Sequence, residues 1–164
     1  MISNLIKKYK NISVLMLLPV VLFACDSQTI YNESFDLPNE TWAEDDTLET
    51  TFEVTDTLHY HNLWLNTRLT ETYPFANIYF KVILKGPNNL SKNEIMNFDV
   101  ADKAGKWLGK GTGDFHSYNF PIYNELSLKK RGKYTLKIVQ YMRTESLQGI
   151  HDRGVKINLG REIF

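Results

Sequence analysis

The stretch Ile78-Tyr79-Phe80-Lys81-Val82-Ile83-Leu84-Lys85 decides the fold class. Ile78, Phe80, Val82 and Leu84 share one parity, while Tyr79, Lys81, Ile83 and Lys85 share the other. Successive side chains of an extended backbone point to opposite faces, so this alternation reads as a β-strand with one face buried. Working outward, Gly86-Pro87-Asn88-Asn89 supplies turn chemistry. Beyond it Met96, Phe98 and Val100 alternate with Ile95, Asn97 and Asp99. Upstream, Leu63, Leu65 and Leu69 keep one parity, and Phe52 and Val54 alternate with Thr51, Glu53 and Thr55. Downstream, Tyr134, Leu136, Ile138, Gln140 and Met142 alternate with Thr135, Lys137, Val139, Tyr141 and Arg143, and Val155, Ile157 and Leu159 close the series.

No window keeps helical spacing for more than about two turns. Short strands separated by turns, without intervening helices, argue for an all-β antiparallel sandwich, Ig-like or jelly-roll-like. Nine tyrosines, nine phenylalanines and three tryptophans suit that class, because aromatic rings fill half-buried pleated surfaces.

The N-terminus reads differently. Lys7, Lys8 and Lys10 form a positive region, and an apolar run from Ile12 to Ala24 follows. A bilayer span needs roughly 20 apolar residues, so this run is too short to be one and suits a secretory signal. Leu22-Phe23-Ala24-Cys25 has the form of a lipobox: an aliphatic residue, a tolerant position, a small residue and then the chain's one cysteine. Lipidation of Cys25 would account for an odd cysteine in an exported protein. Each buried methylene contributes about 0.8 kcal/mol, so several acyl chains make a stable anchor to the membrane. The expected organisation is a signal peptide over 1–24, a lipidated N-terminus and tether over 25–46, and a β-sandwich domain over 47–164. The tether reading rests on Ser27, Ser34, Pro38, Asn39 and the acidic Glu44-Asp45-Asp46, with Ile30, Tyr31 and Trp42 as isolated apolar positions. From Cys25 onward there are 16 basic and 19 acidic residues. A net charge of −3 gives no general attraction for nucleic acid, and none is expected as a partner.

Candidate chemistry is sparse. His59-Tyr60-His61 places two imidazoles at alternate positions, but only Asp56 lies near as a third ligand, so no metal site is expected. Gly109-Lys110-Gly111-Thr112-Gly113 lacks the helix start that a phosphate cradle needs, and a β-turn is the better reading. Asp99, Asp102, Asp114, His116 and His151 form no recognisable acid–base or nucleophilic set. The chain is therefore read as a non-enzyme with no catalytic residue and no cofactor. Trp107, Tyr118, Phe120, Tyr123 and Tyr141 could together form an aromatic platform for sugars, which makes polysaccharide capture the alternative function.

Several blocks carry a family resemblance. Asp99-Val100-Ala101-Asp102-Lys103-Ala104-Gly105-Lys106-Trp107-Leu108-Gly109-Lys110-Gly111 resembles the D-x-A-D-x-x-G-x-W-L-G-x-G segment of the gliding-motility lipoprotein GldH family of Bacteroidetes. Asn62-Leu63-Trp64, Arg68 and Tyr73-Pro74-Phe75-Ala76-Asn77-Ile78 resemble its middle, and Gly132-Lys133-Tyr134, Gln140-Tyr141-Met142-Arg143 and Gly149-Ile150-His151-Asp152-Arg153-Gly154 its end. His61 and Phe23 depart from the pattern. The resemblance implies an envelope lipoprotein of the gliding machinery, related to type IX secretion. Its expected partners are other gliding and secretion envelope proteins, and its expected place is the outer membrane, facing the periplasm. It also makes the loop of Gly105, Trp107, Gly109 and Gly111 a candidate partner-binding surface, or else a plug for the sandwich end. Asp46-Thr47-Leu48 and Asp56-Thr57-Leu58 resemble the O-glycan acceptor of exported proteins from that phylum, making Thr47 and Thr57 candidate acceptors.

Overall fold

Alternating apolar residues close strands here wherever a second strand can take up the backbone hydrogen bonds. The computed structural model describes residues 28–163. Its strands are β1 (Thr29–Asp36), β2 (Thr41–Ala43), β3 (Leu48–Val54), β4 (His59–Thr70), β5 (Asn77–Gly86) and β6 (Leu90–Asp99), then β7 (Lys110–Thr112), β8 (Phe115–Leu126), β9 (Gly132–Gln140), β10 (Ser146–Gln148) and β11 (Ile150–Glu162). One 3-10 turn, Pro38–Glu40, links β1 to β2. A five-stranded sheet runs β1-β11-β4-β8-β7 and a four-stranded sheet runs β3-β9-β5-β6, with β2 and β10 as a small ribbon. Each of these pairings is antiparallel.

The two sheets face each other through the parity the sequence marks. Leu63, Leu65 and Leu69 of β4 and Val155 and Ile157 of β11 come from one sheet. Ile78, Phe80, Val82 and Leu84 of β5 and Leu136 and Ile138 of β9 come from the other, and all are buried. Rings bridge the layers: Phe80 lies 5.7 Å from Phe120, and Phe120 stacks at 4.8 Å on Phe98. A fully buried side chain of this size contributes about 1.5–3 kcal/mol, so this double layer is the main source of stability.

The tether expected over 25–46 is corrected from Thr29 onward. β1 pairs with β11 from Thr29 to Asp36, and β2 pairs with β10. Trp42 has no solvent exposure. Its indole N–H donates to the Asp46 carbonyl at 2.6 Å, its ring packs 5.8 Å from Phe80, and the Arg153 guanidinium lies 4.4 Å over it. Arg153 in turn donates to the Asp46 carboxylate at 2.6 Å. The segment escapes sequence reading because β1 is an edge strand with exposed side chains over most of its length. Backbone pairing holds such a strand and leaves little apolar pattern. Cys25 lies outside the described residues.

Candidate protein-docking face

The glycine-rich loop has an internal structural logic. The Asp102 carboxylate accepts from the backbone N–H groups of Ala104 (2.8 Å) and Lys106 (2.9 Å), closing a tight turn. Gly105 completes that turn with φ +81°, where a side chain would be strained. Ala101 and Trp107 then form an isolated bridge, and the Leu108 N–H donates to the Val100 carbonyl at 2.9 Å. The Trp107 indole lies flat on His116, centroids 4.5 Å apart and planes 12° apart. A Cβ on Gly109 would meet the Tyr118 ring at 2.5 Å, and the hydroxyl of that tyrosine donates to Val100 at 2.6 Å. Burial pushes the Tyr118 phenol above its usual range and keeps it a donor. Gly111 continues into β7. The loop therefore caps one end of the sandwich. Trp107 is half-buried within it, and the exposed apolar side chain there is its neighbour Leu108.

The larger apolar exposure lies on the outer face of the four-stranded sheet. Tyr79 is 38% exposed, Ile95 57% and Tyr141 47%, and these three line a concavity with Met142 and Arg143. The turn that presents them is braced. The Gln140 side chain donates to the Thr144 carbonyl at 2.7 Å and accepts from the Met142 N–H at 2.9 Å, and the Tyr141 N–H donates to the Tyr79 carbonyl at 2.8 Å. A rigid aromatic pair beside an aliphatic side chain, with an arginine at the rim, is the composition found at protein-interface centres. The sequence contained a signal for it: Tyr79 and Ile95 occupy the outward parity of strands whose inward parity is core.

Other expectations fall elsewhere. The five-ring sugar platform does not assemble. Tyr118, Phe120 and Tyr123 are buried between the layers, and Tyr141 lies on the four-stranded sheet's outer face. The two imidazoles of His59 and His61 part company. His59 meets the Asp56 carboxylate at 2.8 Å, whereas His61 is fully buried and neither ring nitrogen makes a well-formed hydrogen bond to another described residue. Burial lowers the His61 pKa and favours the neutral ring. Thr47 and Thr57 are both half-exposed, on the connections leading into β3 and β4. The acidic residue before each is already engaged, Asp46 by Arg153 and Asp56 by His59.

A sequence profile of the family described as GldH lipoprotein matches residues 29–157, which is nearly all of the double-layered domain and includes β1 and β2. The chain belongs to the GldH lipoprotein family. Among relatives, the gliding motility lipoprotein GldH of Flavobacterium johnsoniae is 28% identical over 157 residues, covering 92% of this chain and 97% of that protein. The gliding motility lipoprotein GldH homolog of Christiangramia forsetii is 26% identical over 146 residues, covering 84% and 89%. Among solved structures, the infectious bursal disease virus VP2 subviral particle aligns with a TM-score of 0.33 and 14% identity, over 80% of this chain and 31% of that one. Within this GldH-family chain the central block has a physical account of its own. Asp102, Gly105 and Gly109 are the residues that the turn and the Tyr118 contact require.

Proposed function

We propose that this chain is a lipid-anchored component of the gliding apparatus, linked to type IX secretion, that acts by holding other envelope proteins and catalyses no reaction. The observation that carries the reading is the gliding-motility role named for two relatives that align along most of the chain. Acyl groups on Cys25 hold the domain at the membrane, in the outer membrane facing the periplasm. The partner seats on Tyr79, Ile95 and Tyr141, whose combined exposure in one concavity supports a protein contact.

The test is complementation in a gliding host. A deletion strain is rescued by the wild-type chain, and an Ile95→Asp/Tyr141→Asp chain accumulates to the same level yet fails to restore spreading. Crosslinked wild-type protein retains an envelope partner that the double variant loses. Full spreading by the deletion strain sinks the gliding role; full rescue by the double variant sinks this docking face.

A further inference from the structure

The outer face of the five-stranded sheet has a different chemistry, and no part of the reading above uses it. Trp64 points outward from β4, half-exposed, with Lys156 of β11 and Pro121 of β8 as its cross-strand neighbours. Asn32 on β1 is in turn opposite Lys156. The next row crosses the sheet as Ser34, Gly154, Asn66 and Asn119. Together Trp64, Lys156 and the asparagines at 32, 66, 119 and 158 line one shallow trough. Spanning four strands at about 4.8 Å each, it is about 14 Å across, enough for a short oligosaccharide.

Three features give the trough its selectivity. Gly154 places no side chain in the row between Ser34 and Asn66, and a Cβ there would lie 2.9 Å from the Ser34 Cα and closer still to the Glu33 carbonyl. The amides of Asn32, Asn66 and Asn119 make no side-chain hydrogen bond within the described residues, and Asn158 uses only its NH2 group, on the Leu159 carbonyl at 3.0 Å. Each amide offers both donors and an acceptor. Arg68 closes one end, but its charge is matched by Asp152 and by Asp36 at 3.7 Å. Lys156 is thus the one charged group lining the trough, and no ion pair joins it to another described residue.

A protein interface centre would concentrate several apolar side chains, and the trough is lined by one ring among amides. A nucleic acid would need several cations for its phosphates, and there is one. A flat ring bordered by groups that both donate and accept matches a pyranose: its C–H face lies on the indole and its hydroxyls bond to the amides. From this geometry we infer that the Trp64 trough binds an oligosaccharide of pyranose sugars that carries a carboxylate, with Lys156 taking the anionic group.

The test titrates the full-length protein, detergent-solubilised, with oligogalacturonate and with a neutral galacto-oligosaccharide of equal length, by calorimetry and tryptophan emission. Saturable binding of oligogalacturonate is expected, with a change in Trp64 emission and affinity about tenfold above the neutral chain. Trp64→Ala and Asn66→Ala/Asn119→Ala each weaken binding by about tenfold or more while the melting temperature stays within about 3 °C of wild type, since both sites are on the surface. Lys156→Gln removes the preference for the acidic chain. No binding of either sugar, or binding that survives both the Trp64 and the paired asparagine changes, overturns the site. Equal affinity for the two sugars overturns the acidic assignment. None of these outcomes depends on the spreading assay, so the two readings fail separately.

Discussion

Replacing Trp42 by alanine tests most directly whether the segment before residue 47 belongs to the fold. The indole is fully buried, packs on Phe80, donates to the Asp46 carbonyl and lies beneath the Arg153 guanidinium. Truncating a tryptophan in a packed core costs about 3–5 kcal/mol through lost transfer energy and the cavity left behind. Arg153 is itself only 7% exposed, and a desolvated cation–ring contact adds about 1–2 kcal/mol. The expected loss is therefore about 4–7 kcal/mol, a large part of the roughly 5–15 kcal/mol that holds a domain folded. For a domain of this size each kcal/mol lowers the melting temperature by about 3 °C, so thermal denaturation followed by circular dichroism should show a drop of about 12–21 °C. Trp64→Ala is the matched control on the surface, with a change of about 1 kcal/mol or less. If Trp42→Ala melts within about 3 °C of wild type, the segment is a tether after all and the burial argument fails.

Three further outcomes follow from the same chemistry. His61 is buried with its pKa lowered, so the unfolded chain takes up a proton below about pH 6.5 and the folded chain only at a lower pH. Stability is fully present above that pH and falls as the pH drops, by up to about 1.4 kcal/mol per unit. Urea titrations between about pH 7 and 5 should show a gentler slope for His61→Phe, and equal slopes would mean that the ring is protonated in the fold. Gly149 has φ +79°, and a Cβ there would lie 2.5 Å from the Tyr73 Cα. Gly149→Ala should thus cost at least about 2 kcal/mol by chemical denaturation, and a variant as stable as wild type would contradict the close approach. Radiolabelled palmitate should mark the wild-type protein but not Cys25→Ala, which should partition into the soluble fraction; label on the variant would place the acyl chains elsewhere.

Parity along β4, β5, β9 and β11 was legible because one buried face forces alternate residues to be apolar, whatever the partner strand. The central glycine block was legible too, since Gly105 needs a left-handed backbone and Gly109 leaves room for an aromatic ring. The candidate site was legible only in part. Trp107 was the conspicuous residue of its loop, yet His116 covers one face of its ring and Leu108 faces solvent.

Local chemistry in the chain determined the all-β class, the strand parities, the turns and the family. The tertiary structure alone decided that β1 and β2 belong to the domain, because their partners Arg153 and Leu147 lie more than a hundred residues further along the chain. It also decided which outward residues gather on a common surface. Tyr79 and Ile95 come from two strands and Tyr141 from the turn after a third, and the asparagines around Trp64 come from four strands. Alternation determines the side of a sheet to which a residue points, whereas strand order and register determine its neighbours there, and those arise only when distant segments pair.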